Sequence, residues 1–149
     1  MQRDEIRPSP SPVHTGGLAG EPGRVTRRHD RMLAASVGLG VLALYVRTLL
    51  PHLGGTEDTP KFQYLGSVLG TAHSPGYPLY ILVSFLFSRL PFGTLAYRIN
   101  LMSAFFGAVA IGLFVLSVRR LGVHRVIAAA VAISLATGRL FWDNSVFAE

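Results

Sequence analysis

Cysteine is absent from this 149-residue sequence, lysine occurs once (Lys61), and acids are scarce: beyond residue 31 there are four, Glu57, Asp58, Asp143 and Glu149. The missing cysteines exclude a disulfide framework and a thiolate metal site, and they leave no redox clue to compartment. Charged residues make up 15% of the chain, against about 25% in an ordinary soluble domain. Apolar residues fill the difference: half of the chain is hydrophobic and the mean hydropathy is +0.41. Lipid as solvent explains such a composition better than a soluble core does. The formal net charge of +6 comes from arginines placed ahead of and between hydrophobic runs. No basic face is gathered for nucleic acid, so the arginines read as topological signals.

Residues 1–31 contain RPSPSPVHTGGLAGEPG, rich in Pro, Ser and Gly with no apolar period, so a disordered basic tail is expected there. Arg24, Arg27, Arg28 and Arg31 directly precede the first hydrophobic run, which assigns the N-terminus to the cytoplasm and the protein to the cell membrane. Residues 32–50 form the expected first span, with Arg47 near its far end able to snorkel. A cleaved signal peptide is the poorer reading, since the tail is long and no small-x-small site follows. Residues 51–76 make the first outer loop. Within it Asp58-Thr59-Pro60 has the chemistry of a helix start. Phe62, Leu65 and Leu69 then share one face of a short amphipathic helix at the interface.

Residues 77–90 are apolar but cover only about 21 Å of a hydrocarbon core about 30 Å thick, so they form a short span or a re-entrant segment. Residues 99–118 form a clear span whose Gly107, Gly112 and alanines offer small faces for packing. Residues 123–138 make a further one. If 77–90 spans, the basic turn at 119–125 faces outside. If it is re-entrant, that turn faces inside and the acids share the outer side. The expected fold is thus all-α and multi-pass, with the membrane domain over residues 32–149.

Polar chemistry has few places in so apolar a chain, and residues 54–80 concentrate it: two acids, the lone lysine, His73 and three prolines. Spacing alone favours Asp58 as a capping or solvated acid over a catalytic one. His73 stands before the rigid turn Ser74-Pro75-Gly76, where a histidine is more often an interfacial hydrogen-bonder than a metal ligand.

DTPKFQYLGSVLGTAHSPGYPLY, then LPFGTLAYRINLMSAFFGA, then FWDNSVFAE resemble, in this order and spacing, the domain-of-unknown-function 2723 family. Those multi-spanning proteins are similar to protein O-mannosyltransferases of the GT-C architecture, and the likeness covers about residues 40–149. It implies a many-helix membrane bundle with its active site in the first non-cytoplasmic loop. It also implies a sugar on a polyprenyl phosphate as donor and a protein or glycan hydroxyl as acceptor, with no certain cofactor and room for a divalent metal. Asp58 matches the acid that serves there as general base or positions the acceptor, the chemistry an attacking hydroxyl needs. The leaving lipid phosphate needs donors or positive charge. Glu57, Lys61, His73, Arg98 and Glu149 complete the candidate substrate-binding set, with His73 and Arg98 serving the phosphate or positioning the loop.

Two departures stand out. Lys61 occupies a place where the family carries an acid, and Ser74 replaces a proline of its H-P-P-G. Lys61 has three readings: it pairs with Asp58, it binds the donor phosphate, or it marks lost activity. The sequence also stops inside a family motif, so it reads as an N-terminal portion, inactive alone. The alternative is a non-catalytic multi-pass protein: a transporter portion, an assembly factor or an inactive relic. A transporter would show inverted repeats and acids within its spans, and neither is visible.

Overall fold

The computed structural model describes residues 23–49, 51–52, 59–71 and 76–147. Its elements are α1 (Gly23–Thr48), α2 (Thr59–Leu65, continued by a 3-10 turn over Gly66–Val68), α3 (Pro78–Ser88), α4 (Leu95–Arg120), α5 (Arg125–Thr137) and α6 (Arg139–Val146). Among the described residues there is no strand, and the protein is an all-α membrane protein. α1, from Arg27 onward, and α4 are long and apolar enough to cross a membrane. α5 and α6 together would make a third crossing, bent by 65° at their junction.

α1 and α4 form the central pair and run antiparallel. Asp30 of α1 meets Arg119 of α4 at one end, and Thr94, which caps α4, donates its hydroxyl to the carbonyl of Pro51 at the other. Between these points Ala34, Val41 and Tyr45 of α1 are buried against Ala104, Ala108, Ile111 and Val115 of α4. The four- and seven-residue spacing keeps each set on one side of its helix. The backbones come close in the middle. A Cβ at Gly38 would stand 3.2 Å from the Ala108 carbonyl oxygen, and one at Gly112 would stand 3.3 Å from that of Ala34. In lipid, where apolar side chains gain little by meeting each other, such close packing is a main source of helix association.

The expected tail over residues 1–31 is corrected at its end: the chain is helical from Gly23. RVTRRHDR contains neither Gly nor Pro and its arginines are good helix formers. It therefore extends a helix already nucleated by the apolar run. Asp30 then lies on a helix face, where Arg119 and Arg125 reach it.

α5 and α6 lie against the same pair. Gly138, with extended backbone (φ −62°, ψ 132°), separates them. Tyr45 donates its hydroxyl to the carbonyl of Ala136 at 2.7 Å, and its ring meets Trp142 edge-on at 5.3 Å between centroids. Ser145 of α6 seats on Gly107 of α4, where a Cβ would come within 2.5 Å of its hydroxyl. The run read from the sequence over residues 123–138 is thus α5, and the residues after it form a second helix that meets it at Gly138.

α3 has 11 residues, about 16 Å, half of a hydrocarbon core. Tyr80, Val83 and Phe87 of α3 pack around Ile99 and Met102, in the first part of α4.

Candidate functional site

The candidate site is built on the end of the α1/α4 pair that carries Pro51 and Thr94. α2 begins at Thr59, immediately after Asp58 in sequence, with Pro60 where its missing N–H costs nothing. Three contacts seat the helix. Gln63 donates from Nε2 to Oδ1 of Asn100 at 2.9 Å, and both side chains are fully buried. Phe62 meets the rings of Tyr77 and Tyr80 edge-on, with centroids 5.7 and 5.3 Å apart. Gly66 lies on Ser84 of α3, so close that a Cβ there would fall 2.0 Å from the serine hydroxyl. The inward face of α2 is therefore Phe62, Gln63 and Gly66. The apolar face read from the sequence included Leu69, which instead is exposed and ends the turn in a left-handed conformation (φ 52°).

Arg98 is committed to the backbone. One guanidinium nitrogen donates to the carbonyls of Ser88 at 2.6 Å and Leu90 at 2.7 Å, and Nε donates to that of Thr94 at 3.3 Å. The carbonyls of Ser88 and Leu90 lie at and just after the end of α3, which leaves them unpartnered, whereas that of Thr94 also accepts the backbone N–H of Arg98 at 3.1 Å. Arg98 thereby ties α3 to the start of α4. Lys61 lies on the exposed side of α2. Asp58, Glu57, His73 and Glu149 lie outside the described residues, as does any contact between Asp58 and Lys61. Among the described residues no three His, Cys, Asp or Glu side chains gather as a metal site would require.

The sequence reading missed Gln63, Asn100 and Tyr80. A signal was present for the amides, since a buried amide costs free energy unless paired. Each interrupts an apolar stretch, KFQYL and RINLM. Tyr80 gives no such signal, yet its hydroxyl oxygen is buried with no hydrogen-bond partner among the described residues.

At the opposite end of the pair, Asp30 takes a forked contact from Arg119 (Nε–Oδ1 2.9 Å, Nη2–Oδ2 3.4 Å) and a second from Arg125 at 3.1 Å. Arg119 also donates to the carbonyl of Val123, which closes the turn between α4 and α5. No acid other than Asp30 is described at this end.

An antiparallel pair of helices long and apolar enough to cross a membrane, charged at one end and carrying a short helix on buried amides at the other, defines an all-α membrane protein. The family model of the protein O-mannosyl-transferase TMEM260 N-terminal domain matches residues 58–149. The protein O-mannosyl-transferase TMEM260 of Mus musculus is 39% identical over 120 residues, which is 78% of this chain and 16% of the relative. The chain belongs to this O-mannosyl-transferase-like family. It spans 16% of the length of the curated relative it matches. No solved structure matches it.

Proposed function

We propose that the chain is the N-terminal portion of a multi-pass membrane glycosyltransferase that moves a sugar from a polyprenyl-phosphate donor to a protein hydroxyl. The observation that carries this reading is the family match itself, which begins at Asp58. Asp58 acts as the base that takes the acceptor proton or positions the hydroxyl. The frame behind it supports that role. Gln63 and Asn100 hold the helix that follows Asp58 by an uncharged pair, and the Tyr80 hydroxyl, whose ring meets Phe62 of the same helix, is buried without a partner among the described residues. Arg98 positions the loop through α3 rather than meeting the phosphate, because its donors point at backbone carbonyls. Lys61, exposed on α2, serves the donor phosphate.

The topology follows in the same reading. α1 crosses, α3 enters only part-way, and α4 returns, so residues 51–94 share one side. The arginines at the Asp30 end then mark the cytoplasmic face and the N-terminus with it. Asp58→Asn in the full-length protein, assayed by transfer from a polyprenyl-phosphate sugar to an acceptor peptide, should lower turnover by about 10²-fold or more. Unchanged transfer would remove Asp58 from the mechanism.

A further inference from the structure

Along the outer side of the α1/α4 seam runs an apolar groove of about 430 Å³, whose walls include Ala35, Gly38 and Leu42 of α1 and Val109, Gly112 and Leu116 of α4. At Arg31 and Leu116 it opens into a polar cleft of about 460 Å³ lined by Arg27, Asp30, Arg31, Arg119 and Arg120. Four arginines face one aspartate in that cleft, a net charge of +3. Asp30 is already engaged by Arg119 and Arg125. Arg27, Arg31 and Arg120 make no ion pair or hydrogen bond among the described residues.

We propose that this groove and its arginine mouth form a binding site for one anionic glycerophospholipid. An acyl chain lies between α1 and α4, and the phosphate sits among Arg27, Arg31 and Arg120. The dimensions agree: from Arg31 to Leu42 the groove follows α1 for about 16 Å, and one leaflet of hydrocarbon is about 15 Å deep. A chain entering at the arginines therefore ends near the bilayer midplane.

Charge decides between occupants. Apolar contact alone does not distinguish a bound chain from bulk lipid, since both surroundings are hydrocarbon. Selectivity must come from the mouth, where a phosphodiester without a compensating ammonium matches the guanidinium groups of Arg27, Arg31 and Arg120. A zwitterionic lipid would bring its own cation into the cluster. A further apolar helix seated in the groove would leave the arginines unmatched. The site lies at the end of the pair remote from Pro51 and Thr94, so it stands apart from the transferase reading.

The absence of cysteine makes the test clean. Leu39→Cys places a single thiol on the groove wall, and a bimane attached there, in the full chain in vesicles, is quenched by brominated acyl chains that enter. Brominated phosphatidylglycerol should quench more strongly than brominated phosphatidylcholine at equal mole fraction. The preference should fall by about fivefold in association constant for each of Arg27→Gln, Arg31→Gln and Arg120→Gln. Ala35→Phe keeps every charge and fills the groove, so it should abolish the preference even if an arginine variant inserts poorly. Equal quenching by the two lipids, a preference that survives both kinds of variant, or a bimane shielded from both lipids by protein would each overturn the proposal.

Discussion

The two ends of the α1/α4 pair are fastened by different chemistry. At one end Asp30 gathers Arg119 and Arg125. At the other no ion pair is described: Gln63 binds Asn100, Thr94 binds the Pro51 carbonyl, and Arg98 is spent on carbonyls. Charge held by charge is adjustable, since salt screens it and lipid headgroups compete for it. Amides and hydroxyls in fixed geometry are indifferent to both. The end held by ion pairs can tolerate looseness. The other end keeps the start of α2 in place by uncharged contacts.

Substitutions can break this contrast, and the most severe should be Gly66→Val. It drives a side chain into Ser84 and should unseat α2 altogether, seen as loss of hydrogen-exchange protection over residues 59–68 and a lower unfolding midpoint. Asn100→Leu comes next, costing about 1–3 kcal/mol because Gln63 stays buried without this bond. The double variant Gln63→Leu/Asn100→Leu should recover part of that loss. A double-mutant cycle without coupling would show that the amide pair does not hold α2. Tyr45→Phe removes one hydroxyl bond to Ala136 and should cost about 1 kcal/mol. Smallest is Arg139→Gln, which breaks a 3.7 Å pair with Asp143 in which the arginine is 96% exposed; the change should be under about 0.5 kcal/mol. The contrast itself is sharpened by Asp30→Asn, which should speed amide exchange around residues 119–125 and leave α2 untouched. Raising salt should mimic it. Asn100→Leu should give the mirror-image pattern, insensitive to salt.

The two long apolar helices, α1 and α4, were legible because composition decides them, and hydropathy needs no partner to be read. The start of α2 at Thr59 was legible too, since Asp-Thr-Pro is local chemistry. Tertiary pairings were not. Gln63 and Asn100 lie 37 residues apart, and neither amide names its partner. Asp30 read as the last acid of a tail until Arg119, 89 residues away, was found against it. The end of the run at Gly138 was legible, but α6 beyond it was not, because RLFWDNSV carries three polar or charged residues in a row and is seated by the docking of Ser145 and Trp142 onto α4 and α1. The resemblance supplied Asp58 and its companions, a choice that periodicity alone would not have made.

The Tyr45 hydroxyl has a consequence for the helix end that it meets. A helix that stops at Gly138 leaves its last carbonyls without their own amides, and the carbonyl of Ala136 finds its donor on α1. The bend between α5 and α6 is therefore fastened from outside the pair, by a hydroxyl that α1 supplies.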